Sequence, residues 1–221
     1  MIHTTDLTGD FAANHQFTLN YSQPDDYHFC QDSVLFSKFV AASLRGVEIG
    51  PEFQALDVCA GCGVLGLELA HYLPQIENFD FLEIQSVFRP YFFENLVRAR
   101  RSPEKYRFIE ANYADRLVAS TSIGGYDLII ANPPYFEAAE GRLSPSQVKN
   151  RCRFFLDSDL KTLVRGVARA LKPGGQAFLL MKSGEKHGRK LRRDLQLWLA
   201  GSATAEIIAN IRGTQVVLIR D

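Results

Sequence analysis

The segment Leu56-Asp57-Val58-Cys59-Ala60-Gly61-Cys62-Gly63-Val64-Leu65-Gly66 joins a strand to a helix through a glycine-rich turn, and that junction constrains everything around it. Upstream, FQALDV (53–58) is a short apolar run with the length of a buried strand. Downstream, GVLGLELAHYL is apolar enough for a buried helix. Gly61, Gly63 and Gly66 fit G-x-G-x-x-G, and glycines at such a turn let the backbone approach a ligand closely. Glu83 follows about 20 residues later, at the end of a second strand pattern, where a carboxylate can accept hydrogen bonds from ribose hydroxyls. The glycines and Glu83 alone suit a dinucleotide cofactor as well as another nucleoside.

Asp57 separates these readings. A carboxylate at the end of the first strand, aimed into the crevice, repels a pyrophosphate but suits the ammonium and sulfonium groups of S-adenosylmethionine. Cys59-x-x-Cys62 lacks the second ligand pair of a zinc site, so no metal is expected.

The same strand–helix alternation continues outward. NFDFLEI (78–84), YRFIEA (106–111), YDLIIA (126–131) and QAFLLM (176–181) read as further strands, with helices at SVFRPYFFENLVRARR, DLKTLVRGVARAL and RKLRRDLQLWLA. The helix from Asp159 carries Leu160, Leu163, Val164, Val167 and Leu171 on one face and stops at Lys172-Pro173-Gly174-Gly175, because proline cannot continue it and glycine accepts the left-handed cap. Such alternation implies a parallel sheet with right-handed crossovers and helices on both faces. AEIIANI (205–211) and QVVLIR (215–220) lie too close together for a crossover, so the last strand is antiparallel. Residues 1–52 are irregular apart from a helix at Asp32–Ser43 and read as an extension covering the cofactor site, with the main domain at 53–221.

The 221 residues carry no net charge at neutral pH, which by itself disfavours a strong polyanion binder. The charges are segregated, however. Residues 1–88 hold Lys38 and Arg45 against twelve acids, whereas residues 142–193 hold fourteen Lys and Arg against Asp157, Asp159 and Glu185. Segregation can create a basic face on a neutral molecule. Four cysteines are too few for a disulfide scaffold and suit reduced thiols. No apolar run approaches the roughly 20 residues needed to span a bilayer, and the first residues lack the basic start of a signal peptide. A cytoplasmic protein with no membrane partner, and a monomer, is expected.

Asn132-Pro133-Pro134-Tyr135 directly follows the fourth strand, at the carboxyl edge where open α/β sheets bind ligands. Two prolines stiffen the backbone and remove two donors, so the Pro133 carbonyl can face a ligand without a competing N–H. With the Asn132 side-chain oxygen, two acceptors converge on one NH2 group. Accepting both its protons raises the electron density on a nitrogen otherwise conjugated to its ring or carbonyl, and Tyr135 offers a flat face for stacking.

The run Leu56–Gly66 and the Asn132-Pro133-Pro134-Tyr135 motif together resemble class I S-adenosylmethionine-dependent methyltransferases of the Asn-Pro-Pro-Tyr/Phe type, which methylate adenine N6, cytosine N4, guanine N2 or glutamine amide nitrogen. The resemblance implies a Rossmann-like fold, an α/β architecture with a mostly parallel seven-stranded sheet and an antiparallel last strand. It also implies direct in-line transfer to nitrogen without a metal. Asn132, Pro133 and Tyr135 would be catalytic, and the cofactor would lie on Asp57, Ala60, Gly61, Cys62, Gly63, Leu65, Glu83, Ile84 and Asn132. The family usually places Asp after the third strand to bind the cofactor adenine; here Asn112 or Asp115 takes that place. Tyr27-His28-Phe29-Cys30-Gln31-Asp32-Ser33-Val34-Leu35 resembles the segment that bacterial tRNA(Val) adenine-N6 methyltransferases pack over the cofactor, which adds Gln31 and Asp32. Fifty-two irregular residues are too few for the helical domain that precedes the core of release-factor glutamine methyltransferases. RNA, a tRNA above all, is therefore the expected partner, with Phe136, Arg151, Arg153, Lys186, Arg189 and Lys190 meeting the substrate. Phe154 and Phe155 could wall the pocket or belong to the core.

Overall fold

A computed structural model describes residues 5–6, 18–25, 27–119, 123–137, 139, 141–182 and 190–221. In chain order the elements are β1 (Thr5–Asp6), α1 (Gln31–Ser43), β2 (Gln54–Val58), α2 (Val64–Tyr72), β3 (Asn78–Glu83), α3 (Arg89–Arg98), β4 (Tyr106–Glu110) and α4 (Tyr113–Arg116). The second half comprises β5 (Tyr126–Ala131), β6 (Phe136–Glu137), α5 (Gln147–Arg153), β7 (Phe154–Phe155), α6 (Leu160–Ala170), β8 (Leu171–Met181), α7 (Leu191–Trp198), β9 (Thr204–Ile211) and β10 (Thr214–Arg220).

Leu128 and Ile130 share one apolar cluster with residues of α1, α2 and α3, while Ile129 and Ala131 share another with residues of α6 and α7. This two-sided burial explains why β5 reads as a continuous apolar run: successive residues point to opposite faces and both faces are covered. The sheet runs β1-β9-β10-β8-β5-β2-β3-β4. Strands β4, β3, β2, β5 and β8 are mutually parallel, and β10 lies antiparallel to both β8 and β9. The seven expected strands are all present, and β1 adds a short eighth at the edge, parallel to β9. Chain order reverses between β2 and β5, and a sheet of this type opens its ligand crevice at the carboxyl ends of the two strands flanking such a reversal.

Two local readings are corrected. Lys172–Gly175 does not separate helix from strand. Strand β8 begins at Leu171, opposite Tyr126, and resumes at Gln176, opposite Leu128, so the four residues bulge out against Asp127. Gly174 takes φ 76° within the bulge and the Lys172 ammonium bonds the Asp127 carboxylate at 2.6 Å, holding it to the strand. The final hairpin turns on Arg212 and Gly213 alone. Both have positive φ, 50° and 82°, as the tight two-residue connections matched to strand twist require.

The amino-terminal segment is held to the core by two buried side chains. Glu68, in α2, accepts hydrogen bonds from the Thr18 N–H (3.1 Å) and the Tyr21 hydroxyl (2.8 Å). Asn95, in α3, accepts from the Ser22 N–H (2.6 Å) and donates to the Ser22 carbonyl (2.8 Å). Among the described residues no helix is long and apolar enough to cross a membrane.

Candidate active site

Strand β2 leaves the sheet through Cys59, whose φ of 61° is unusual for a side chain larger than glycine, and the loop continues through Gly61 (φ 54°) and Gly63 (φ 84°) into α2. The alternating left-handed residues curl the loop, and neighbouring groups fix it. The Gly61 N–H donates to Glu83 Oε2 (2.9 Å), the Gly66 N–H to Asp57 Oδ2 (2.9 Å), and Asn95 Nδ2 to the Cys62 carbonyl (3.0 Å). The Ser37 hydroxyl of α1 donates to the Leu65 carbonyl at 2.9 Å.

A cleft of about 1040 Å³, open to solvent, lies over this loop at the carboxyl ends of β2, β3 and β5. Of the residues expected at the cofactor, Ala60, Gly61, Cys62, Leu65, Glu83, Ile84, Asn112 and Asn132 line it. Glu83 sits at the end of β3 with Oε1 accepting from the Gln85 N–H (2.8 Å), and burial raises its pKa. Ile84 beside it is 38% exposed and offers an apolar face in the cleft.

Four expected cofactor residues are absent from the lining. Asp57 is fully buried beneath the loop, where it holds Gly66 and does not reach the cleft. Its Oδ1 is buried without a hydrogen-bond partner among the described residues, and desolvation raises its pKa well above the usual carboxylate range. Gly63 is needed for packing rather than for contact: a Cβ there would lie 2.8 Å from the Phe92 ring. Gln31 and Asp32 face the β9–β10 turn, where the Arg212 guanidinium bonds Gln31 Oε1 at 3.0 Å and approaches Asp32 Oδ1 at 3.6 Å. The amino-terminal stretch reaches the cleft instead through Tyr27, Phe29, Cys30 and Ser33. Asn112 lines the cleft, but its Oδ1 caps α4 by accepting from the Ala114 N–H at 2.9 Å; Asp115 does not line it.

Asn132 emerges from β5 into the cleft and is gripped from two sides. Its Oδ1 accepts a hydrogen bond from the Tyr135 hydroxyl (2.6 Å) and its Nδ2 donates to Ser33 Oγ (3.1 Å). The expected stacking face of Tyr135 is not in the cleft: Lys182 Nζ lies 5.6 Å from the ring centroid, and the ring packs against the core. Pro134, not Pro133, forms part of the wall. Phe136 also lies outside the cleft. It pairs in parallel with Phe154 through the two-stranded β6–β7 ribbon, which brings Phe154 and Phe155 to the wall although both are buried. They are core and wall at once.

Of the basic residues expected to meet substrate, Arg151 lines the cleft but forms a two-pronged ion pair with Asp157 (2.9 and 3.2 Å). Arg153 stacks over the Phe136 and Phe154 rings at 5.9 and 5.7 Å. Lys190 is exposed at the start of α7; Lys186 and Arg189 lie outside the described residues. Sequence reasoning missed Asp157, Ser158 and Tyr113 on the far wall; the Asp159 cap of α6 was the one local signal near them.

These features fit a cationic nucleoside cofactor. A polar carboxylate at the end of β3 meets hydroxyls, an exposed apolar residue meets a base, and the unpartnered Asp57 oxygen beneath the loop provides negative potential. The family model described as methyltransferase small domain matches residues 37–199. The tRNA1(Val) (adenine(37)-N6)-methyltransferase of Aeromonas hydrophila is 31% identical over 128 residues, covering 58% of this chain and 51% of that protein. The ribosomal protein uL3 glutamine methyltransferase of Neisseria meningitidis is 28% identical over 143 residues, covering 59% and 42%. The chain thus spans about half the length of these curated relatives. A solved putative methyltransferase from Escherichia coli superposes with a TM-score of 0.60 at 14% identity, covering 90% of both chains. TrmN from Thermus thermophilus does so at 0.55 and 20% identity, covering 85% of this chain and 48% of that one.

Proposed function

The chain belongs to the methyltransferase small domain family, whose methyl donor is S-adenosylmethionine, and from that premise we propose that it is a cytoplasmic enzyme methylating the N6 amino group of adenine in a structured RNA, a tRNA above all. Asn132 carries this reading. It stands at the end of β5 in the cleft with its amide plane held by Ser33 and Tyr135. Tyr135 uses one lone pair of Oδ1, and a carbonyl oxygen has two, so the second can accept an N–H from the target. Accepting one amino proton there orients the target nitrogen and turns its lone pair toward the cofactor. Bound S-adenosylmethionine would supply the electrophilic methyl group on cationic sulfur, and the proton the methylated nitrogen gives up would leave to solvent through the open cleft. An amide is no base, so the residues of this chain act by orientation and exclusion of water rather than by proton abstraction. Glu83 and Ile84 would hold the ribose and base of the cofactor. Phe154 and Phe155 supply apolar walls for a planar target.

RNA is favoured over a protein amide by the basic residues around the site and by relatives named for tRNA and ribosomal RNA methylation. Relatives named for glutamine methylation match to a similar extent, so the assay must separate the two. Methyl-labelled S-adenosylmethionine is supplied in parallel with tRNA, ribosomal RNA and protein fractions from a strain lacking the gene. Label in RNA, recovered as N6-methyladenosine, is the expected result; label in protein alone would refute the RNA assignment.

A further inference from the structure

The basic residues around the cleft fall into two groups. Arg151 is committed to Asp157 and Arg212 to Asp32, each neutralised by a carboxylate. Arg153 and Lys182 have no carboxylate partner among the described residues. Each is instead set over aromatic rings, Arg153 over Phe136 and Phe154, Lys182 over Tyr135. A ring orients a cation without cancelling its charge. A stacked guanidinium keeps its N–H edge free for a phosphate, and an ammonium over a ring keeps outward N–H donors.

Both cations stand at the mouth that Asn132 serves. Ala131 lies opposite Leu179 in the parallel β5–β8 pair, so Asn132 and Lys182 leave the sheet at the same carboxyl edge. The Arg153 carbonyl accepts a hydrogen bond from the Tyr135 N–H (3.2 Å), tying that residue to the Asn132 motif from the other side. Arg153 is exposed, Lys182 half-buried, and neither lines the cofactor cleft. We propose that Arg153 and Lys182 form a two-point clamp for backbone phosphates, gripping the RNA strand on either side of the nucleotide whose base enters the cleft. The inference rests on the RNA reading above and deepens it. It assigns to Lys182 a role in substrate binding, and to Arg153 a fixed position within that role. Fixed, unneutralised cations flanking an aromatic-walled pocket suit an unstacked nucleotide better than an uncharged glutamine side chain.

The test uses a fluorescein-labelled RNA hairpin with adenines in its loop, with binding followed by anisotropy across a salt series. Lys182→Gln and Arg153→Gln are each expected to weaken binding about tenfold at low salt. Each should reduce the slope of log affinity against log salt by about 0.7, the value for one single-strand phosphate contact. Arg153→Lys keeps the charge and should keep the slope. Arg165→Gln, an exposed change on α6, is the control and should alter neither. Calorimetry with S-adenosylmethionine, unchanged in every variant, establishes that the fold is intact. A double variant with the wild-type salt slope on a hairpin that is still methylated would overturn the clamp and leave the RNA reading standing. Methyl transfer to protein alone would overturn both.

Discussion

The Tyr135 hydroxyl donates a 2.6 Å hydrogen bond to Asn132 Oδ1, so the motif's tyrosine acts on its asparagine three residues away rather than on a ligand. Tyr135→Phe keeps the ring under Lys182 and removes the hydroxyl that bonds Asn132 and also meets Thr214. It should lower the rate of methyl transfer about fivefold, the equivalent of one hydrogen bond near 1 kcal/mol. Asn132→Ala should lower it more than tenfold, and adding Tyr135→Phe to it should cost little more, because both changes disable one unit. Single-turnover kinetics on the four proteins measures the coupling; strictly additive losses would show that the two residues act separately.

Asp57 is buried with one oxygen unpartnered, and its pKa is raised by desolvation. Between the ordinary carboxylate range and that raised value the folded chain binds a proton that the unfolded chain has lost. The stability of the ligand-free protein should therefore fall as pH rises through this window. Asp57→Asn should flatten the decline and raise the Tm at neutral pH, by about 2–4 °C per kcal/mol recovered. The same variant should bind S-adenosylmethionine more weakly, because the negative potential beneath the loop is lost. Thermal unfolding against pH, paired with calorimetry, tests both signs. An Asn variant that is less stable and binds normally contradicts this account.

Gly61 and Gly63 separate contact from packing. Both have positive φ, but a Cβ at Gly61 meets nothing within 4 Å, whereas one at Gly63 strikes Phe92 at 2.8 Å. Gly61→Ala should cost only the left-handed backbone strain, about 1–2 kcal/mol, and, because Gly61 lines the cleft, impair cofactor binding. Gly63→Ala adds a clash and should cost about 1–3 kcal/mol more. Denaturant unfolding ranks the two; equal destabilisation would remove the distinction.

Asn95 is fully buried and joins three segments, bonding Ser22 twice and the Cys62 carbonyl once. Asn95→Leu leaves the Ser22 N–H and two carbonyls without their partner, at a cost of about 1–3 kcal/mol for each buried group so stranded. The loss should appear as a higher KM for S-adenosylmethionine together with faster proteolysis ahead of Ser22. Proteolysis without any change in KM would confine Asn95 to anchoring the amino-terminal segment.

The strand–helix order, the glycine loop, the switch to an antiparallel last strand and the Asn132 motif were all legible in the sequence. They depend on local information: apolar runs two-sided or periodic, turn residues at set offsets, and connections too short for a crossover. The placement of Ala60, Gly61, Leu65, Glu83 and Ile84 in the cleft followed, because each adjoins the end of a strand whose direction was known. What only the tertiary structure decided are directions and partners set by residues distant in sequence. Gln31 and Asp32 turn outward because Arg212, 181 residues from Gln31, arrives at the hairpin tip. Tyr135 loses its stacking role to Asn132 and Lys182, and Phe154 and Phe155 reach the wall through the β6–β7 pairing. Ser33 meets Asn132 across 99 residues. Periodicity assigns a side chain to a face, but the hydrogen bond it makes there is chosen by whichever remote element packs against that face.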